Sequence, residues 1–402
     1  MNASFPRLSS AQSLSIIENG LPKTTKAKDV VVLGAGMSGL VTASLLKEAG
    51  HRVTVIEARD RVGGRVYTMR PYSSDDIYLD MGAMRIPEFH HRVLTYVKKF
   101  GLPINPFLND APTDLIYVNG IKSGIENYKE NPDILNYPVK PNEKGRTAKE
   151  LLRAALMPIL EVLKYSNNDM DWLIQHYGHM SMEDMLDLNP FGVSLSKGAI
   201  DMIKVLLDIE GFSELSFVDL YFEGLSIIFM LPNVFYEITG GNDHLPKAFL
   251  PQLSENLHLN ERVTRVEQLP SNKLAVHTKN TKTTQNSSVS ADVAVVTLPF
   301  SVLSVVELEP MDLFSYKKRK AIREVHDCPA VKIGIYFKTR FWEKNGRRGG
   351  KIITDLPIRF AYYPSHGFGN DEGGVILASY TWEDDATPWS SFSNEQRVRQ
   401  AL

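Results

Sequence analysis

The sequence has little of the chemistry that several protein classes require. Its 402 residues contain one cysteine, Cys328, which excludes an intrachain disulfide framework and indicates a reducing compartment. Lysine and arginine total 45 against 47 aspartates and glutamates, so the formal net charge is −2. Such a chain has no global basic field for nucleic acid or an anionic membrane. The longest strongly apolar stretch, near Leu225–Leu231, is far too short to span a bilayer.

A targeting signal and a metal-binding pattern are also missing. The first twenty residues have neither a basic start nor a continuous apolar stretch, so we predict no secretory signal and a cytoplasmic location. His90 and His91 are adjacent, but no HExxH or Cys/His ligand set accompanies them. We therefore predict surface or capping roles for both histidines, and no metal site.

What is present is an ordinary globular composition, 43% hydrophobic and 23% charged. The length predicts two or three domains with enough chain to bury a cofactor. Helical periods run from Ala148 to about Glu223, where Pro158 should kink or divide a helix. Beyond Phe235 the pattern changes to strands, and the polar residues 278–290 between two of them are expected to form a turn region.

The chain from residue 28 onward indicates a β-α-β unit. Val30–Leu33 is a continuous apolar run ending in glycines, as in a parallel strand that is buried on both faces. From Met37 to Ala49 small and apolar residues fall on one helical face, and Gly50 is a natural stop. Val53–Ile56 is a second buried strand. This order predicts an α/β fold with a parallel sheet.

A glycine-rich turn joins the first strand to the helix, with the sequence Gly34-Ala35-Gly36-Met37-Ser38-Gly39. The first glycine makes the tight turn, the second lets the backbone approach a pyrophosphate, and the third packs the helix on the sheet. The helix N-terminus then faces the phosphate charge. Glu57 ends the second strand, where a carboxylate accepts both ribose hydroxyls and repels the 2′-phosphate of NADP. Together these features predict dinucleotide binding.

A second glycine-containing tract, which has two adjacent glycines, discriminates between NAD and FAD. The tract is Ala58-Arg59-Asp60-Arg61-Val62-Gly63-Gly64-Arg65-Val66. Paired glycines flanked by arginines suit a second close approach to the same pyrophosphate, and a guanidinium can add charge-assisted bonds. The tract resembles the GG signature of the flavin amine oxidase family, which NAD dehydrogenases do not usually carry. The resemblance therefore implies FAD, bound in a Rossmann-like domain.

The resemblance extends along nearly the whole chain and is strongest to L-amino-acid oxidases. The segment from Leu79 to Pro87 is similar to the one beside the flavin ring in those enzymes, and its predicted cofactor contacts are Gly82, Ala83, Met84 and Arg85. Residues 235–246 resemble the family's return to the FAD domain. Val263 matches a residue whose backbone contacts the adenine.

Three residues carry the implied substrate chemistry. Arg85 is the discriminating one, because guanidinium grips a carboxylate bidentately and monoamine and polyamine oxidases generally lack this arginine. Lys332 matches a lysine that holds a water against flavin N5, and Tyr380 matches a tyrosine that binds the substrate carboxylate. Plain structural roles stay open for all three: an ion pair for Arg85, a solvated strand position for Lys332 and core packing for Tyr380.

The resemblance implies three domains. The FAD domain comprises residues 28–71 and 236–328, a mixed α+β substrate-binding domain comprises 72–127 and 329–402, and a helical domain comprises 128–235, after a lead-in at 1–27. In this family the chain returns once more to the FAD domain through a Gly-rich segment, and nothing resembling it precedes Leu402. We therefore expect the 402-residue chain to hold FAD poorly.

The implied reaction is the FAD-dependent oxidation of an L-amino acid to a 2-oxo acid, with release of ammonia and hydrogen peroxide. A hydride passes from Cα to flavin N5. The partners are a small L-amino acid and O2, with no nucleic acid, and a homodimer stays open. Another flavin amine oxidase, such as a monoamine or polyamine oxidase or a tryptophan 2-monooxygenase, is one alternative. A flavin-binding chain without turnover is a second, and an NAD-dependent dehydrogenase is a third, disfavoured by the GG tract.

Overall fold

A computed structural model describes residues 8–72, 76–165, 170–207, 209, 215–218, 234–370 and 372–402 of the chain. The chain divides into two compact units. Unit 1 comprises Met1–Arg70, Asp80–Asn105 and Glu237–Asp327. Unit 2 comprises Pro71–Leu79, Pro106–Tyr236 and Cys328–Leu402.

Both units mix strands and helices. The strands are β1 Asp29–Leu33, β2 Arg52–Ile56, β3 Thr68–Met69, β4 Leu79–Asp80, β5 Ile86–Pro87, β6 Ile104–Pro106, β7 Leu115–Val118, β8 Ile121–Gly124, β9 Phe235–Ile238, β10 Leu257–His258, β11 Glu261–Gln268, β12 Leu274–Asn280, β13 Asn286–Ala291, β14 Val293–Val296, β15 Glu307–Glu309, β16 Ala330–Phe337, β17 Lys351–Thr354, β18 Phe360–Tyr362 and β19 Gly374–Trp382. The α-helices are α1 Ser10–Asn19, α2 Met37–Glu48, α3 His91–Lys99, α4 Ile125–Glu130, α5 Ala148–Tyr165, α6 Met170–Tyr177, α7 Met182–Leu188, α8 Lys197–Leu206, α9 His244–Lys247, α10 Leu250–Leu253, α11 Phe300–Leu303, α12 Tyr316–Glu324, α13 Glu383–Ala386 and α14 Asn394–Ala401. Short 3-10 helices are Pro132–Leu135, Ser254–Asn256, Met311–Leu313, Glu343–Asn345 and Thr387–Ser391.

Unit 1 contains the predicted β-α-β unit. Strand β1 pairs in parallel with β2 on one side and with β14 on the other, in a sheet of order β10-β2-β1-β14. Val30–Leu33 is buried along its whole length, as the continuous apolar run predicts. Helix α2 connects β1 to β2 and packs on both. The α/β fold with a parallel sheet is confirmed.

A second sheet of unit 1 has the order β13-β12-β11-β15. It shares a hydrophobic core with the parallel sheet, formed by Val31, Leu33, Ile56, Val263, Val266, Val276, Ala291, Leu303 and Val306. Strand β13 occupies residues that the polar pattern assigned to a turn region. The prediction was wrong there because β13 is largely exposed, so its side chains carry no apolar signal.

A buried polar network holds three segments of unit 1 together. Asp80 is 4% exposed and accepts hydrogen bonds from the Thr68 hydroxyl and, at 3.0 Å, from the Asn242 backbone N–H. The Thr68 hydroxyl in turn accepts from the Asp243 N–H at 3.1 Å. The Asn242 side-chain amide donates to the Ala83 carbonyl at 2.9 Å. The network therefore fixes the backbone at the start of residues 79–87, the segment predicted to lie beside the flavin ring and called the flavin-side segment below.

Unit 2 is built on a six-stranded sheet of order β16-β19-β18-β17-β7-β8. Helices α5 and α8 pack against each other, and the buried face of α5 includes Leu152, Ala155 and Ile159. The expected division of this helix at Pro158 is not seen, because one helix runs from Ala148 to Tyr165 and its packed face holds it together. Residues 166–169, 208, 210–214 and 219–233 of the predicted helical domain lie outside the described residues.

The two units do not coincide with the three predicted domains, because residues 128–235, predicted as a separate helical domain, group with 329–402 in unit 2. Residues 80–105, expected in the substrate-binding domain, group with unit 1, where the Asp80 network and the packing of α3 on α1 hold them. Helix α1 itself lies in the stretch described above only as a lead-in. Within the described ranges, no helix combines the length and the apolar character that crossing a bilayer requires. The cytoplasmic location stays a prediction.

The Asp80 network generates a stability prediction. Asp80→Ala removes the acceptor of the Thr68 hydroxyl and the Asn242 N–H, and each buried group left unsatisfied costs about 1–3 kcal/mol. We expect the free energy of unfolding, measured by urea titration, to fall by at least that amount. The matched control is Asp60→Ala, since the Asp60 side chain is 68% exposed and 3.8 Å from Lys282. A change of about 0.5 kcal/mol or less is expected there. Equal effects of the two substitutions would contradict the role of the network.

Candidate active site

The glycine-rich turn of unit 1 brings backbone against backbone. Gly34 has a φ of 108°, a conformation that favours glycine. A Cβ added to Gly39 would lie 1.9 Å from the Gly34 carbonyl oxygen, so the third glycine is required for the packing of α2. A Cβ added to Gly36 meets no atom within 4 Å. The second glycine therefore borders open space rather than packed protein.

That open space lies at the N-terminus of α2. Gly36 is the N-cap residue of this 12-residue helix and no side chain caps it with a hydrogen bond. The first backbone N–H groups of a helix have no intrahelical acceptor, and the helix dipole favours negative charge at this end. The turn thus fits a phosphate group of a dinucleotide.

Glu57 directly follows β2 and lies beside the turn. Its carboxylate accepts hydrogen bonds from the Ala35 and Arg59 backbone N–H groups, both at 2.9 Å. An ionised carboxylate has about four acceptor sites, so two backbone bonds leave capacity for ribose hydroxyls. Strand β11 starts at the same place, because the Glu261 N–H donates to the Glu57 carbonyl at 2.8 Å. Val263, two residues farther, points its side chain into the core and is 8% exposed, which is compatible with a role through its backbone.

The GG tract packs directly on the glycine-rich turn. The Gly63 N–H donates to the Ala35 carbonyl at 2.9 Å, and Gly36 and Gly63 form a parallel β-bridge. A Cβ on Gly64 would lie 3.2 Å from the Gly36 Cα. The two glycine motifs therefore face the same space, which agrees with a shared pyrophosphate.

The arginines of the tract are placed differently from one another. The Arg61 guanidinium donates to the Gly64 carbonyl at 3.0 Å and lies 4.3 Å from the centroid of the Tyr67 ring. Burial lowers the pKa of Arg61, and the nearby charge of Arg59 adds to this effect. Arg61 thus stabilises the loop itself. Arg59 and Arg65 are exposed.

The flavin-side segment lies against this tract. The Gly82 N–H donates to the Tyr67 carbonyl at 3.0 Å, and the Ala83 N–H donates to the Arg65 carbonyl at 3.1 Å. A Cβ on Gly82 would lie 1.9 Å from the Arg65 carbonyl oxygen. Gly82 is therefore needed for this contact between backbones. The contact fixes the backbone three residues before Arg85.

A cavity of about 860 Å³ in unit 1 joins these predicted residues. It is lined by the turn, the flavin-side segment and parts of α1, α2 and α3, including Met37, Ser38, Val66, Ala83, Arg85 and Ile86. Arg85 is half-buried. Among the described residues that line the cavity, the ionisable ones apart from a tyrosine are Arg85, His90 and Arg92, and none is acidic. His90 is exposed at the N-cap of α3, where its side chain makes no capping hydrogen bond. The cavity suits a ligand that carries an anionic group.

Lys332 and Tyr380 are brought together in unit 2. They are direct cross-strand partners of the antiparallel strands β16 and β19. The Lys332 Nζ lies 4.6 Å from the centroid of the Tyr380 ring, and both residues are half-buried. Next to this pair the register shifts, because Ile333 pairs with Ser379 but Gly334 with Leu377. Such bulges redirect side chains and are frequent beside active sites.

All predicted cofactor residues thus lie in unit 1 with Arg85, and Lys332 and Tyr380 lie in unit 2. Their roles toward ligands stay predictions. The sequence reasoning missed Thr68, Asp80 and Asn242, whose network holds the segment before Arg85. Asp80 and Asn242 are 162 positions apart, and no local pattern connects them.

The chain is similar to known proteins along most of its length. A family model described as flavin containing amine oxidoreductase matches residues 37–402. The chain is 49% identical over 391 residues to the Bacillus subtilis (strain 168) protein named "Putative L-amino-acid oxidase YobN", covering 97% of this chain and 80% of that protein. It is 36% identical over 393 residues to the L-amino-acid oxidase of Siganus canaliculatus, covering 97% of this chain and 72% of that protein.

Solved structures with a similar fold are amine oxidases. A putrescine oxidase variant matches with a TM-score of 0.71 and 19% identity, covering 92% of this chain and 79% of that one. Cyclohexylamine oxidase from Brevibacterium oxydans IH-35A matches with a TM-score of 0.65 and 17% identity, covering 93% of this chain and 80% of that one. These likenesses establish the fold.

The contrast between Gly36 and Gly39 gives a matched pair of substitutions. Gly36→Ala introduces a methyl group where no protein atom lies within 4 Å, so the free energy of unfolding should hardly change while FAD binding weakens. We expect a loss of at least about tenfold in Kd, or roughly 1.4 kcal/mol. Gly39→Ala should instead destabilise the fold itself, because its Cβ collides with the Gly34 carbonyl.

Urea unfolding and fluorescence titration with FAD separate the two effects. Tight FAD binding by a stable Gly36→Ala variant would show that the pyrophosphate does not lie at this turn.

Proposed function

The chain belongs to the family of flavin-containing amine oxidoreductases, and from this membership we propose that it oxidises L-amino acids to 2-oxo acids. The family match confirms the predicted flavin cofactor and the prediction of an oxidoreductase. The finer identity of the substrate is our proposal. The names of the relatives support it, since those from Bacillus subtilis and Siganus canaliculatus are both named as L-amino-acid oxidases.

The observation that carries the proposal is the cavity of unit 1. Arg85 lines it together with residues of the glycine-rich turn, and the described part of the lining includes no acid. A carboxylate distinguishes an amino acid from a simple amine, and a guanidinium is the side chain suited to bind it through two parallel hydrogen bonds. A cavity with cationic and apolar walls favours an α-carboxylate over a bare ammonium group.

Unit 1 supplies the groups that would hold FAD. Gly36 and the N-terminus of α2 would bind the pyrophosphate, Glu57 the ribose hydroxyls, and the Val263 backbone the adenine. Bound there, FAD would supply an acceptor for the hydride of the substrate Cα, and its reoxidation by O2 would give hydrogen peroxide. The protein contributes position and electrostatics to this chemistry.

In unit 1, Arg85 would bind the substrate carboxylate and thereby direct the Cα–H. The role of Tyr380 toward the carboxylate stays a prediction. Loss of the hydride leaves an imino acid, and addition of one water to its imine carbon releases ammonia and the 2-oxo acid. Lys332 would hold that water or relay its proton. A lysine suits this work because its ammonium offers three N–H donors on a flexible stem.

Arg85→Ala tests the assignment of the substrate class. Removing one partner of a desolvated charge pair costs about 2–5 kcal/mol. We therefore expect kcat/KM for L-leucine or L-phenylalanine to fall roughly thirty- to several-thousandfold, as measured by peroxide release with FAD in excess. Arg85→Lys should restore only part of the loss, because an ammonium cannot form the planar fork.

The matched control is Arg399→Ala, an exposed arginine of α14 that pairs with Glu395. It should leave kcat/KM unchanged. An Arg85→Ala variant that keeps its kcat/KM for the amino acids would remove Arg85 from the carboxylate site. Equal turnover of benzylamine or putrescine by the wild-type chain would favour an amine oxidase instead.

A further inference from the structure

The pairing of Lys332 with Tyr380 has a consequence for how the lysine is held. We propose that the aromatic face of Tyr380 is the binding seat of the Lys332 ammonium, so that Tyr380 is a positioning residue for Lys332 apart from any contact with substrate. The seat follows from the geometry of unit 2. Its effect on turnover rests on the function proposed above.

The first support is distance. The Lys332 Nζ lies 4.6 Å from the centroid of the Tyr380 ring. Cation–π attraction acts within about 6 Å of a ring centroid and grows as the pair is desolvated. Both side chains are half-buried, so solvent screens the attraction less than on an open surface. The contact is therefore within the range in which a ring stabilises a cation.

The second support is the fixed position of the ring. The centroid of Trp382 lies 5.0 Å from that of Tyr380 with an interplanar angle of 46°, and Tyr362 lies 6.5 Å away at 63°. Tyr362 is 4% exposed. Tilted and edge contacts of this kind are favourable between aromatic side chains. Tyr380 is thus held by its neighbours before the lysine is added.

The third support is the register of the sheet. Lys332 and Tyr380 face each other directly across two strands, where side chains on one face interact most closely. The adjacent bulge places an extra residue, Ala378, on β19. A bulge changes which side chains face each other farther along the pair. It therefore separates the Lys332–Tyr380 pair from the pairs farther along the strands, which begin at Gly334 and Leu377.

A ring is a suitable seat for a lysine that handles water. It attracts the ammonium electrostatically without taking up a conventional hydrogen bond from each of its three N–H donors. A carboxylate in the same place would accept such bonds directly. The ring can thus fix the direction of the ammonium without itself accepting a conventional hydrogen bond from it.

The hydroxyl and the ring of Tyr380 can be separated by substitution. Tyr380→Phe keeps the aromatic face and removes the hydroxyl, whereas Tyr380→Leu removes both. If the ring holds the lysine, the position of the Lys332 ammonium and the rate of the step that depends on it should be retained in Tyr380→Phe. Both should be lost in Tyr380→Leu.

Nuclear magnetic resonance of lysine labelled with 13C at Cε tests directly whether the Lys332 ammonium lies on the Tyr380 ring. The measurement needs no flavin or turnover. Assignment comes from the signal that disappears in Lys332→Arg. In the wild type and in Tyr380→Phe, the ring current should shift the Lys332 ε-methylene protons upfield of those of the exposed Lys26. In Tyr380→Leu they should return to the Lys26 position. An unshifted wild-type signal, or a signal unchanged in Tyr380→Leu, would overturn the proposal.

Stopped-flow kinetics measure the effect of this contact on the Lys332-dependent step of turnover. Relative to Tyr380→Phe, Tyr380→Leu should slow the Lys332-dependent step by a further two- to thirtyfold or so, the range that cation–π attraction spans. In a Lys332→Met background this further factor should vanish, because the double-mutant cycle leaves no ammonium to hold. If Tyr380→Leu is still slower than Tyr380→Phe by the same factor in the Lys332→Met background, the proposal that the ring holds Lys332 is contradicted. If the chain oxidises no L-amino acid, the proposed function is wrong. The contact between Lys332 and the Tyr380 ring is then tested by the resonance measurement alone.

Discussion

Close contact between backbone segments at glycine residues is the constraint on which the rest of unit 1 depends. Gly39 packs against the Gly34 carbonyl, Gly64 against Gly36, and Gly82 against the Arg65 carbonyl. Any larger side chain at Gly39 or Gly82 would push the segments apart. These contacts bring the start of α2, the GG tract and the flavin-side segment to one place, where Gly36 borders open space.

Charge is then distributed over this compact frame. Glu57 supplies the negative end through a carboxylate tied to the Ala35 and Arg59 N–H groups, and the N-terminus of α2 supplies the positive end. Arg85 adds a cation to a cavity whose described lining contains no acid. The pyrophosphate of a dinucleotide matches the positive end and its ribose hydroxyls can donate to Glu57, while the carboxylate of the proposed substrate matches Arg85. Unit 2 contributes a different element, a lysine placed on an aromatic face.

The parts that were predicted from the sequence have local signals, and the long-range contacts that were missed do not. The β-α-β unit follows from a continuous apolar run and from glycines at fixed spacing. The network of Asp80 depends on a partner 162 positions away, and the contact of Lys332 with Tyr380 depends on the register of two distant strands. Helix α1 was missed although Ser9 and Gln12 form a capping box, a signal that can be seen in the sequence.

The most direct test of the account is the absorbance of the FAD-loaded protein on mixing with substrate in the absence of oxygen. The account predicts that L-leucine or L-phenylalanine bleaches the flavin bands, and that the D-enantiomers and amines without a carboxylate do not. Admitting oxygen should then restore the bands and release one hydrogen peroxide for each flavin reduced. Bleaching by amines but not by L-amino acids, or no bleaching by either, would contradict it.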